Sequence, residues 1–146
     1  MFVQALLPVA RERLVTIDAA TLLFEAAGLL RSGTDLVVVC GAEEGLAGVI
    51  TKTDVVRQVE ACQGACFAVL ASAVMTRHVI LCQPSDWLPD VWAKMRDRGL
   101  KNVPIADDKG RPIGVLNARD ALETLLREAE DEETLLREYV TGVGYH

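Results

Sequence analysis

Gly48-Val49-Ile50-Thr51-Lys52-Thr53-Asp54 comes back 66 residues later as Gly114-Val115-Leu116-Asn117-Ala118-Arg119-Asp120. At the same offset Leu22 falls on Leu88, Ala27 on Ala93, Gly33 on Gly99 and Val37 on Val103, with no gap. Identities are few but residue types agree throughout, so one unit has been used twice. Each copy starts with a short apolar stretch, Leu14 to Ile17 or Val79 to Cys82. Apolar residues at helical spacing follow: Leu22, Leu23, Ala26, Ala27, Leu29 and Leu30 in the first copy, Leu88, Val91, Trp92 and Met95 in the second. Asp18 and Ser85-Asp86 are candidate N-caps for these helices, and Gly33 and Gly99 candidate left-handed C-caps.

A β-rich run, a polar turn with glycine and a second strand come next, the pattern of a hairpin. The turns are Glu43-Glu44-Gly45 and Asp107-Asp108-Lys109-Gly110. A helix closes each copy, from about Lys52 to Glu60 and from about Ala118 onward. One such unit is too small to bury both faces of its sheet, so two copies are expected to pack together. The reading is an α/β (α+β) fold: two tandem β-α-β-β-α repeats with pseudo-two-fold symmetry, plus a helical C-terminal tail. Repeat one runs 10–60, a linker 61–75, repeat two 76–126 and the acidic tail 127–146.

Composition narrows the function. The chain is 51% hydrophobic over 146 residues and carries a net charge of −6. Seven acids against Arg127 and Arg137 give residues 123–138 a balance of −5, so the body is nearly neutral. Nucleic-acid binding, which rests on many Lys and Arg contacts to phosphates, does not fit. There is no apolar run of about 18 residues for a membrane span. Met1-Phe2-Val3-Gln4 lacks the basic flank of a secretory signal, and a cytoplasmic protein is the expectation. Cys40, Cys62, Cys66 and Cys82 are too few in so apolar a chain for a disulfide scaffold. Cys62 and Cys66, four apart, would share a helix face; with His78 and His146 the only histidines, buried thiols are expected rather than zinc, with a redox-sensitive pair the alternative if they are exposed.

The tail repeats itself: Glu123-Thr124-Leu125-Leu126-Arg127-Glu128 returns at Glu133 to Glu138. A ten-residue period does not return to the same helix face, so a bend near Glu130–Glu132 is expected. The leucines would then pack on the body, and Gly142 and Gly144 would end the helix.

The first copy's Gly48 to Asp54 resembles the CBS-domain signature: glycine, two aliphatics, Ser or Thr, two variable residues, Asp. The duplication, the Val74-Met75-Thr76-Arg77 lead-in and the Val103-Pro104-Ile105-Ala106-Asp107 strand extend the resemblance over roughly residues 10–128. It implies a non-catalytic sensor that binds an adenine nucleotide between the repeats. AMP, ADP or ATP is the expected ligand, with S-adenosylmethionine and NAD as possibilities; no cofactor or metal is required. By position, the site at Asp54 draws on Thr51, Lys52, Met75, Thr76, Ile80, Leu100, Lys101 and Pro104. A weaker site at Asp120 draws on Asn117, Leu14, Thr34, Asp35 and Val38. A carboxylate can accept hydrogen bonds from both ribose hydroxyls, and a helix N-terminus favours phosphate. Lys52 and Lys101 are cations for that phosphate, whereas Asp35 would repel it. Thr-x-x-Asp at a helix start is equally a capping pattern, so ribose binding and capping stand side by side.

No Ser-His-Asp set, P-loop or His/Cys metal cluster is present, so no enzyme is expected. His78 is read as structural or solvent-facing, and Trp92 as a core or dimer contact. A homodimer is expected through the apolar helix faces at Leu22, Leu29, Val55, Val56, Val91, Met95 and Leu122. The rival reading is a ligand-free module that regulates an enzyme or transporter by docking.

Overall fold

The computed structural model describes residues 1–31, 33–65 and 68–144, the last three by backbone alone. In repeat one, β1 (Thr16–Asp18) pairs parallel with β2 (Leu36–Cys40), which pairs antiparallel with β3 (Leu46–Thr51). Helices α2 (Leu23–Leu29) and α3 (Lys52–Cys62) complete the unit. The short helix α4 (Ala71–Val74) leads into repeat two, in which α5 (Leu88–Arg98) precedes the hairpin of β4 (Asn102–Ala106) and β5 (Pro112–Asn117), and α6 (Ala118–Gly144) follows. Register is conserved between the copies: Val37 faces Ile50 as Val103 faces Leu116.

Strand β2 explains why two copies are needed. Leu36, Val37, Val38 and Val39 are all buried, yet successive strand side chains point to opposite faces. Val37 and Val39 join Ala26, Leu30, Ile50 and Ala71 in a core on the helix side. Leu36 and Val38 instead pack with Val49 and with Val115 of the other repeat. The second repeat has its own helix-side core, built on Leu88, Met95, Val103, Ile105 and Leu116.

The lead-in segments cross over. Gly48 of repeat one is so close to the lead-in of repeat two that an added Cβ would meet the Thr76 carbonyl oxygen at 2.6 Å and Met75 at 2.9 Å. Gly114 of repeat two lies against Ala10 of repeat one, where a Cβ would meet another at 2.9 Å. Ala10 and Thr76 are themselves 66 residues apart, so the exchange is reciprocal, which is what a pseudo-two-fold relation requires. Val49 and Thr76 seal the first crossing with two backbone hydrogen bonds, of 3.0 and 2.8 Å.

Several expectations need correction. Val79 to Cys82 is not a full strand; among the described residues it supplies only the bridge from Cys82 to Ile105, because Val79 and Ile80 turn to a cavity and Leu81 to solvent. A helix not anticipated, α1 (Leu7–Arg13), follows a 3-10 turn at Val3–Leu6. It exists because Val3, Leu6 and Ala10 are buried in the core of repeat two. Asp18 and Asp86 accept hydrogen bonds from Ala20 and Gln83 N–H in turns, and the N-cap positions belong to Leu22 and Trp87. Gly99 does cap α5 in the left-handed region, but Gly33 lies beyond the α2 cap at Leu30.

The tail does not bend. Helix α6 runs unbroken through Glu130–Glu132 and through Gly142 to Gly144. Glu, Leu, Arg and Ala are strong helix formers, and Glu133 with Arg137 adds an i,i+4 ion pair. Of the leucines in the echo, Leu125 packs against the core of repeat two, but Leu126, Leu135 and Leu136 are exposed, as are Tyr139 and Val140. Among the cysteines, Cys82 is buried, which pushes its thiol up to about 12, but Cys40 is only half-buried. Cys62, the last residue of α3, is disulfide-bonded rather than a free thiol, and Cys66 lies outside the described residues.

The Gly48 contact sets a test. A Gly48→Ala chain has to push the Thr76 backbone away, and overpacking of this kind costs roughly 1–3 kcal/mol. Chemical denaturation should show that loss, and an alanine variant as stable as the wild type would mean that the crossing is looser than described.

Candidate functional site

A cavity of about 670 Å³ opens between the repeats. From repeat one it takes the end of β3 and the start of α3: Val49, Thr51, Lys52, Thr53 and Asp54, with Asp35 and Leu36 from β2 and the turn before it. From repeat two it takes the lead-in residues Thr76, His78, Val79 and Ile80, and the turn into β4 with Gly99, Leu100, Lys101, Asn102 and Pro104. Eight of the nine residues that the sequence assigns to the first site line it: Thr51, Lys52, Asp54, Thr76, Ile80, Leu100, Lys101 and Pro104. Met75 does not; it is buried in the helix-side core of repeat one and supports the wall from beneath Gly48.

Asp54 is the buried charged residue among the described ones, with 8% of its surface exposed. Thr51 is the N-cap of α3, and its hydroxyl accepts from Asp54 N–H at 3.4 Å. Asp54 Oδ2 returns the bond, accepting from Thr51 N–H at 2.9 Å. The capping pattern is therefore real and reciprocal. It does not use up the carboxylate. Asp54 Oδ1 faces the Thr76 hydroxyl at 3.3 Å and Arg57 at 3.9 Å, and Asp54 and Thr76 both line the cavity. Capping thus holds the acid in one orientation at the positive end of an 11-residue helix.

Charge around the cavity is mixed. Lys52 reaches Asp35 at 3.4 Å across exposed surface, a weak pair. Lys101 and His78 are both exposed at the wall. Reading by type missed His78: a lone histidine beside Arg77 carries no pattern, and only the crossing of the lead-in brings it to Asp54. Val79, Gly99 and Asn102 were missed for the same reason, although the 66-residue offset relates each to a position at the second site. Val79, Ile80, Leu100 and Pro104 supply an apolar wall opposite the polar helix start.

The residues assigned to a second site are arranged otherwise. Asp120 is held by Arg13, whose Nε donates to Oδ2 at 2.5 Å and Nη2 to Oδ1 at 3.0 Å. The same contact, opposed by partial burial, raises the Arg13 pKa above its ordinary value. Asn117 accepts from the N–H groups of Arg119 and Asp120 and donates to Asn102. Thr34 and Asp35 border a void of only about 10 Å³ here, while Leu14 and Val38 pack into the core between the sheets. Trp92 packs against the core of repeat two, with the Arg96 guanidinium 5.1 Å from its ring centre. Among the described residues no three His, Cys, Asp or Glu side chains gather as a metal site, and no helix is long and apolar enough to cross a membrane.

Comparison with known proteins agrees with this geometry. An uncharacterized protein of Methanopyrus kandleri is 28% identical over 116 residues, 79% of this chain; the chain spans only 59% of that curated relative. The crystal structure of a CBS-domain containing protein from Agrobacterium tumefaciens superposes with a TM-score of 0.69 at 30% identity, covering 85% of this chain and 98% of that one. CBSX2, whose crystal structure is a complex with AMP, shares the fold at 18% identity and a TM-score of 0.69, covering 82% of this chain and 93% of its own. The CBS domain family model matches twice, at residues 7–61 and 71–127, one match on each repeat. In order, spacing and architecture, the chain belongs to the CBS domain family.

Proposed function

We propose that the chain is a non-catalytic sensor module that takes an adenine nucleotide, AMP, ADP or ATP, in the cavity beside Asp54. The observation that carries this reading is a buried carboxylate at a cavity wall, oriented by its own helix cap, with its Oδ1 edge met by the exposed side chains of Thr76 and Arg57. That edge suits the vicinal hydroxyls of a ribose. The N-terminus of α3, with Lys52, Lys101 and His78, suits the phosphate. The apolar wall of Val79, Ile80, Leu100 and Pro104 suits a flat base, and the volume falls within the usual range for small-molecule sites. The AMP complex of CBSX2 supports the ligand class. Such a module would pass nucleotide occupancy to a regulated enzyme or transporter.

The rival docking module keeps one observation in its favour, the projecting half of α6 with its exposed Leu135, Leu136, Tyr139 and Val140. Homodimerisation also belongs to the proposal, with a change of surface. Val91 and Met95 are core residues and are not available to a partner. Phe24, Leu29, Val56, Val59 and Leu122 are among the exposed apolar residues on the helices. A dimer is expected in light scattering at micromolar concentration, and a monomer there would count against that surface.

AMP should raise the melting temperature of the purified chain. Asp54→Ala should cost ten- to a hundredfold in AMP affinity, as expected for about 1.5–3 kcal/mol of charge-assisted hydrogen bonding. It should also lower ligand-free stability by about 1 kcal/mol through the lost cap. Asp120→Ala should cost less affinity. If Asp54→Ala lowers stability but binds AMP like the wild type, Asp54 is scaffold alone and the docking reading takes over. Deletion of residues 129–146 should leave AMP affinity unchanged in calorimetry; a folded truncation that no longer binds would move the site to the tail.

A further inference from the structure

The two repeats present equivalent carboxylates, but Asp54 lines a cavity of about 670 Å³, whereas Arg13, which holds Asp120, borders a void of about 10 Å³. The 66-residue offset locates the cause. Val79, on the wall of the open cavity, corresponds to Arg13. Thr76, whose hydroxyl faces Asp54, corresponds to Ala10, which carries no polar group. In place of a hydroxyl at the cavity wall, the second copy has a guanidinium that takes both oxygens of Asp120. Such a fork matches a carboxylate edge in the way that two vicinal hydroxyls do. The geometry points to Arg13 as a built-in occupant of the second nucleoside cradle, which leaves the chain one open site instead of two. This assignment rests on the nucleotide reading of the first site only for the identity of the ligand class.

The surroundings agree with a cation as the resident. Asp35 and Glu123, besides Asp120, all act to keep Arg13 charged. Position 35 holds an acid where the open site has Lys101, and position 118 holds alanine where it has Lys52. The second cradle therefore lacks the two lysines that the first offers a phosphate, and the ligand class it could take, once vacated, is an uncharged nucleoside. Arg13 is held in place from its own side as well. It is the last residue of α1, whose Ala10 is clamped against Gly114. The guanidinium is thus delivered by a helix fixed in the core of repeat two, and it joins the end of α1 to the first turn of α6.

Adenosine is the probe, and the readout is the number bound per chain by calorimetry in Arg13→Ala minus the number bound by the wild type. The expected difference is one. The added site should vanish in the Arg13→Ala/Asp120→Ala double variant. A difference of zero in a variant that melts cooperatively would overturn the assignment, whether both proteins bind one, two or none. So would an added site that survives loss of Asp120. Should the alanine variant fail to fold, Arg13→Ser, which leaves a hydroxyl near Asp120, gives the same comparison. AMP binding by the wild type is a separate measurement: its absence would remove the proposed function of the first site without deciding the difference between the two proteins.

Discussion

The reciprocal close approach at Gly48 and Gly114 is the constraint on which the remaining structure depends. Each glycine lies on the second strand of a hairpin, and each is touched by the lead-in segment of the other repeat, Met75-Thr76 or Ala10. A side chain at either position would hold the segments apart by several tenths of an ångström or more. Without that contact Leu36, Val38, Val49 and Val115 would not close into a core between the sheets. Thr76 and His78 would not be carried to the start of α3, and the cavity would have only one wall. Packing between repeats and construction of the site are the same event.

Within that frame, the cap of α3 both closes the helix start and orients Asp54. A carboxylate at 8% exposure is costly unless its lone pairs are used. Thr51 N–H and the Thr51 and Thr76 hydroxyls meet that need, and in doing so they hold Asp54 in one orientation at the cavity wall. Capping and the proposed ligand binding do not exclude one another as explanations of Thr-x-x-Asp, because the cap is made through Oδ2 alone.

The two copies differ at several positions around the carboxylates. Thr51 became Asn117, Lys52 became Ala118, Lys101 has Asp35 as its counterpart, and Val79 has Arg13. Asn117 retains the capping function, accepting from Arg119 and Asp120 N–H, so the fold of the second copy is preserved. What has changed is the cavity. The same separation of scaffold from surface is seen in α6: Ala121 is buried in the core, while Leu135, Leu136, Tyr139 and Val140 are exposed further along the same helix.

The 66-residue period, the hairpins around Gly45 and Gly110, the helices from Lys52 and Ala118 and the family were all legible in the residues. They are local patterns, set by side-chain periodicity, glycine and capping chemistry, and duplication made each of them count twice. So was much of the cavity lining, because Thr51, Lys52 and Asp54 lie within one motif, and Lys101 and Pro104 lie at the edge of a recognised strand. Helix α1 was not legible, since Leu7-Pro8-Val9-Ala10 has no partner within its own repeat and becomes helical by burying Val3, Leu6 and Ala10 in the other one. The ten-residue echo in the tail suggested a bend that continuous helix propensity overrode. His78 reaches the cavity, and Arg13 reaches Asp120 across 107 residues of chain, for the same reason. Which groups meet depends on how two sheets cross, and that crossing is decided by contacts between repeats, which no spacing within either repeat records.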